Sequence, residues 1–229
     1  MSDIIEQTEN TDINEGTEEL KDILHNGLLI DVFNAETYNS VDKIISNHHK
    51  KINESDKIKR DIFSMYRQLA QDAAILSLSR VYDKPTKYKT RCILYLLKRL
   101  EEISGVLPKI EEPYQTINLL KQYHLPESCC LSVTDNDLSK FPKEIAEYYK
   151  NVYRDSSSLK DYRNKIIAHN EKLELKMTLT WQIFDELINF AIEVIEVIAM
   201  AYFGNTYRIK TEAEYKALSV EVLLNEMNL

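Results

Sequence analysis

Hydrophobic positions along this chain recur at three- and four-residue spacing, which predicts helices from end to end. Leu20, Ile23, Leu24, Leu28 and Phe33 mark a first helical region over about 17–49, with a break into two expected at Ala35–Thr37. A second helix is expected over about 55–83. Its apolar stripe is Ile58, Ile62, Met65, Leu69, Ala73, Leu76 and Val81, with Arg60, Ser64, Arg67 and Gln71 opposite. Pro85 ends it, because the residue before a proline is pushed out of the α region. Residues 90–103 and 111–124 read as further helices, the former stopped by Gly105 and Pro108. Residues 125–140 have no sustained period and read as a loop, after which Pro142 suits the first turn of a helix to about Asp155.

Another helix is expected over about 157–170. The longest pattern, about 178–203, sets Trp181, Phe184, Leu187, Ile188, Ala191, Ile195 and Ile198 against Gln182, Asp185, Asn189, Glu193 and Glu196, and Gly204 marks its stop. A last helix, 211–227, completes the pattern as an extension. The expected fold is an all-α antiparallel bundle over 17–205. An acidic mobile tail (1–16) precedes it and a helical extension (206–229) follows.

Composition narrows the class. Four glycines in 229 residues, where average usage gives roughly 16, exclude Gly-rich phosphate loops and argue against all-β architecture. The net charge of −8 is uneven: residues 1–22 carry −7, residues 177–229 carry −5, and the middle carries +4. An acidic total therefore does not exclude a polyanionic partner for the central part. Three cysteines, Cys92, Cys129 and Cys130, make no disulfide framework and read as free thiols of a reducing compartment. The first sixteen residues lack the basic start and apolar stretch of a signal peptide. The most apolar run, Phe190–Phe203, is interrupted by Glu193 and Glu196 and is too short to span a bilayer. A cytoplasmic protein without a membrane partner is expected.

Familiar catalytic signatures are missing: no HExxH, Walker loop or GxSxG, and no Cys/His ligand spacing, so neither metal nor cofactor is expected. His48 and His49 would point about 100° apart on one helix and read as solvated. Tyr148, Tyr149 and Tyr153 read as core aromatics rather than a stacking platform. One segment differs: Lys160-Asp161-Tyr162-Arg163-Asn164-Lys165-Ile166-Ile167-Ala168-His169-Asn170. An arginine, a polar residue, a small apolar run and a histidine resemble the R(N/D/H)-x4-H signature of HEPN domains. These are all-α bundles, many of them metal-independent ribonucleases. Upstream, Ala74-Ile75-Leu76-Ser77-Leu78-Ser79-Arg80-Val81-Tyr82-Asp83 looks like the segment preceding the motif in the abortive-infection U-type branch, and the resemblance covers about residues 20–205.

The resemblance implies a homodimer whose two motifs line a shared cleft. It implies RNA as substrate, a role in phage defence or toxin–antitoxin response, and room for an antitoxin or other defence-system partner. Glu171 stands where many such toxins carry a tyrosine two residues after the histidine, so control by tyrosine modification is not carried over. On a straight helix Arg163 and His169 stand about 120° and ~9 Å apart. Either the helix ends near Ala168 and turns His169, or two copies meet across a two-fold axis; the resemblance implies the second.

The chemistry suits RNA cleavage by 2′-hydroxyl attack. Imidazole moves a proton near neutral pH, guanidinium holds developing phosphorane charge, and Asn164 orients either group or the ribose. Lys160, Lys165 and Lys172 supply phosphate-tracking charge, as does the run Lys84, Lys87, Lys89 and Arg91. Two other readings stand beside this one. The chain is a non-catalytic HEPN module binding RNA, a nucleotide or a protein; or it is a structural bundle in which Arg163 pairs with Asp161 or Glu171 and His169 caps a helix.

Overall fold

The structure, a computed structural model, describes residues 16–85, 91–135, 140–153, 157–164 and 180–229. Every regular element among them is helical, as the hydrophobic period requires. Helix α1 (16–23) passes through a π-helical turn, Leu24–Leu28, into α2 (Leu29–Asn47). Then follow α3 (His49–Glu54), α4 (Lys57–Val81), α5 (Ile93–Glu102), α6 (Pro113–Gln122), α7 (Glu127–Thr134) and α8 (Lys140–Asn151). The chain ends with α9 (Ser157–Tyr162), α10 (Trp181–Phe203) and α11 (Ile209–Glu226). The tail 1–15 lies outside the described residues. Two compact units divide the chain. The first comprises Met1–Leu29, Tyr82–Arg154 and Phe190–Tyr207; the second comprises Ile30–Val81, Asp155–Asn189 and Arg208–Leu229.

The first unit is built around an apolar interior. Helix α5 packs on α8 and buries Ile93, Leu96, Leu97 and Leu100; α8 contributes Phe141, Ile145, Ala146 and Tyr149. From Phe190 onward α10 is buried nearly all round, so that Val194, Ile195, Val197 and Ala201 lose all exposure. A helix that is apolar on every side is stable only inside a core. Tyr149, as expected of these tyrosines, is core: it meets Phe190 edge to face at 5.7 Å. Charges stay at the margins of this interior. Arg99 ties Glu19 and Glu102 together, with Tyr95 donating to Glu19 at 3.0 Å. Gly204, at φ +59°, ends α10 by turning its backbone left-handed, where a side chain would be strained. Gly27 is required for a different reason: a Cβ there would sit 2.4 Å from the Arg91 Cβ, beneath the arginine that grips Asp22.

One expectation for this unit is overturned. Residues read as a loop form α7, with Cys129, Ser132 and Val133 buried. The period is hidden because the inward positions include Ser132. Its hydroxyl is satisfied by the Ser128 and Cys129 carbonyls and by Glu144 Oε2 at 2.6 Å. Burial, then the Glu144 charge, pushes the Cys129 thiol up to about 11, so it is no thiolate nucleophile.

The second unit is built the other way round. Its interior is rich in polar groups: Glu36, Thr37, Asn39, Ser40 and Asp42 of α2 and Ser77 and Ser79 of α4 are buried. The expected break at Ala35–Thr37 does not occur; α2 runs through, and Thr37 Oγ1 donates back to the Phe33 carbonyl at 2.8 Å. Asn39 Nδ2 donates to Asp185 Oδ1 at 2.7 Å, and Lys43 Nζ reaches the same oxygen at 2.8 Å. Asp42 Oδ1 accepts from Arg67 Nε at 2.8 Å and Gln71 Nε2 at 2.9 Å, and Arg80 pairs with Asp31 at 3.2 Å.

Helix α4 therefore turns inward a face different from the one expected. Phe63, Ala70, Ala74, Ile75, Leu78 and Val81 are buried, whereas Ile58, Met65 and Leu69 are 72%, 55% and 56% exposed. Ala70, Ala74, Ser77 and Ser79 interrupt Phe63, Ile75, Leu78 and Val81 on the buried face, so its apolar signal is weaker than that of the exposed stripe. Helix α11 buries Ile209, Ala213, Ala217 and Leu224, and Leu224 and Leu229 join Ile45, Ile52 and Phe63 in one cluster.

Candidate functional site

The motif begins at the end of α9, which packs against α4. Leu159 anchors the helix, being 1% exposed, while Asp161 faces solvent. Tyr162 is half-buried; burial, with the Asp72 charge adding to it, holds its hydroxyl above the ordinary tyrosine range. At Arg163 and Asn164 the backbone widens into π-helical geometry, an arrangement frequent at functional sites. The straight α-helix assumed for the Arg163–His169 offset thus ends at Tyr162. Arg163 Nε donates to Asn164 Oδ1 at 3.1 Å, so Asn164 orients the guanidinium. Glu171 lies outside the described residues together with Lys165, His169 and Lys172. Lys160 stands on α9, with its side chain outside the described set.

The described chain resumes at Thr180, the residue before α10, whose side chain Oγ1 accepts from the Ile183 N–H at 3.3 Å. Tyr162 and Thr180 line one cavity of about 180 Å³ with Gln71, Ile75 and Trp181. The two ends of the segment carrying His169 therefore border the same small hollow on α4. Among the basic run, Arg91 is bound to Asp22 through two 3.1 Å contacts, and Lys87 and Lys89 lie outside the described residues.

The family model of HEPN AbiU2 proteins, described as AbiU2, matches residues 17–220. The chain belongs to the HEPN AbiU2 family. The match takes in Arg163, Asn164 and His169, and it extends into α11. No curated protein and no solved structure matches the chain. Membership accounts for the all-helical architecture and makes this an abortive-infection-related HEPN module. No helix among the described residues is long and apolar enough to cross a membrane. The same residues hold no group of three or more His, Cys, Asp or Glu side chains placed to hold a metal ion.

Each unit of this AbiU2 chain holds further polar groups whose partners the sequence did not show. His48 and His49 do not share a helix: α2 ends at Asn47, and each Nδ1 donates to a carbonyl of its last turn, Ile44 at 2.9 Å and Ser46 at 2.8 Å. In the first unit, burial raises the Glu193 carboxyl to about 7 beside the core residue Tyr149. Tyr123 Oη donates to Glu196 Oε2 at 2.5 Å. The signal available for these was the pair of acids breaking an otherwise apolar helix.

Proposed function

We propose that this chain is a metal-independent endoribonuclease of an abortive-infection or toxin–antitoxin type defence system, working in the cytoplasm as a homodimer. The observation that carries the reading is the family match across the Arg163–His169 motif. His169 moves the proton of the attacking 2′-hydroxyl, and Arg163 holds the charge that develops on the phosphorane oxygens. Asn164 fixes the guanidinium through its side-chain oxygen. Lys160, Lys165 and Lys172 track the strand, and the products are a 2′,3′-cyclic phosphate and a 5′-hydroxyl.

The exposed face of α4 supports the dimer. Ile58, Met65, Tyr66 and Leu69 are each more than half exposed, and Ile62 more than a third, in one apolar stripe along the helix. With Ala73 added, their spacing is palindromic about Met65 and Tyr66. An antiparallel pairing about a two-fold axis sets Ile58 level with Ala73 of the second copy and Ile62 level with Leu69.

Purified protein is expected to cut single-stranded RNA in the presence of EDTA, with a pH optimum that tracks an imidazole. His169→Ala and Arg163→Ala each lower the rate by about 10²–10⁴-fold. Cleavage abolished by the chelator, or untouched by both substitutions, removes the mechanism. Binding of RNA without cleavage establishes instead the non-catalytic module, a reading favoured by the Glu171 charge two residues beyond His169.

A further inference from the structure

A hollow of about 360 Å³ in the second unit lies away from the motif, where α3 folds back on α4. Its floor is Ile45, Ile52 and Phe63, members of the unit's apolar cluster. Its remaining lining is polar: Ser46, His49 and Asn53 from one side, Arg60, Ser64 and Arg67 from the other. No acidic side chain lines it among the described residues.

The sequence sets up this wall. Arg60, Ser64 and Arg67 recur at four and three residues, so they stand in a row over two turns of α4, with about 10 Å between the arginine backbones. The row lies on the side of α4 away from the exposed apolar stripe. Arg67 is held in place: its Nε donates to Asp42, whose side chain is only 5% exposed, which leaves both Nη groups uncommitted among the described residues. Arg60 has no acidic partner among those residues; its one contact is Nη1 to the Asn53 carbonyl at 3.4 Å. His49 donates Nδ1 to the Ser46 carbonyl, leaving Nε2 as its remaining polar atom.

Two guanidinium forks, an imidazole and two hydroxyls around an apolar floor, without an acid, match one ligand chemistry. We propose that this cavity binds a small phosphomonoester, such as a free nucleotide, with its phosphate between Arg60 and Arg67 and its organic body over Ile45, Ile52 and Phe63. A terminal phosphate is a dianion with three oxygens for charged donors, and bidentate guanidinium contacts suit it. The volume falls in the range of small-molecule sites. Asp42 is shared between this cavity and the one bordered by Tyr162. The oxygen that fixes Arg67 also accepts from Gln71, which lines the Tyr162 cavity.

The test is calorimetric titration of the full chain carrying His169→Ala, so that no strand is cut and the result is independent of the ribonuclease reading. The probes are a nucleoside 5′-monophosphate, inorganic phosphate, and a 2′-O-methyl RNA oligonucleotide with a 5′-hydroxyl. The monophosphate is expected to bind and inorganic phosphate to compete with it. Arg60→Ala weakens binding at least tenfold, Arg60→Glu abolishes it, and Arg67→Lys, which keeps a cation for Asp42, weakens it several-fold. Arg60 and His49 are exposed, so these variants keep the helical circular dichroism of the parent. Absence of monophosphate binding overturns the proposal. So does binding that Arg60→Ala and His49→Ala leave unchanged, and so does a site that takes only the oligonucleotide, which assigns the arginines to a strand.

Discussion

The two units place polar and apolar groups in opposite senses. In the first, the second half of α10 and the inner faces of α5 and α8 make an apolar interior, with ion pairs such as Arg99–Glu19 at its margin. In the second, α2 buries Glu36, Asn39 and Asp42, while α4 leaves Ile58, Met65 and Leu69 in solvent. A chain gains stability by burying carbon and loses it by burying unpaired polar atoms. The second unit is thus built at a cost in stability, and it is the unit that carries the start of the motif, the Tyr162 cavity and the arginine-lined cavity. Its inward polar groups hold particular side chains in particular orientations, as Asp42 does for Arg67 and Gln71. Its outward apolar groups are available to another surface.

The comparison can be broken most sharply at its apolar end. Leu97→Ala, at a position with no exposure in the first unit, is expected to cost about 3 kcal/mol through lost transfer energy and the cavity left behind. Urea denaturation followed by circular dichroism measures it, and a cost under 1 kcal/mol denies that this interior is tightly packed. Leu69→Asp in the second unit is expected to leave helicity intact while weakening self-association by about 2 kcal/mol, or roughly 30-fold. Sedimentation velocity across a concentration series reads the association. Unfolding by Leu69→Asp would instead return the stripe to the core.

The smallest effect concerns the acid set within the apolar unit. The folded-state pKa of Glu193 is raised to about 7 from 4.5, so the folded protein holds a proton that the unfolded chain has lost. The contribution of Glu193 to stability is then fully present below pH 4.5, falls as pH rises from there to about 7, and stays lost above. Glu193→Gln carries no such loss. The variant is expected to match the parent near pH 4.5 and to exceed it by about 1 kcal/mol at pH 8.5, after allowance for solvent screening. A gain of the same size at both pH values would assign the effect to packing rather than to charge.

Much of this architecture was legible in the chain. The shortage of glycine and the helical spacing of apolar residues set the all-α class, because a 3.6-residue period buries one face of a helix and no other regular element. The stop at Gly204 follows from the local backbone, and the long pattern of α10 from sustained period; both are properties of neighbouring residues. The motif from Lys160 to His169 was visible as a sequence feature, because an arginine and a histidine at fixed spacing need no fold to be recognised. Tertiary structure decided which face of α4 turns inward. Periodicity reports that an apolar face exists, but not whether its own chain covers it, and the face that is covered mixes Phe63, Ile75, Leu78 and Val81 with alanines and serines. It also decided that α7 forms over a serine whose hydroxyl is satisfied by Glu144. And it brought His49 to Arg60 and Arg67, since that cavity depends on how the turn after Glu54 folds α3 back on α4, which the period within each helix does not report.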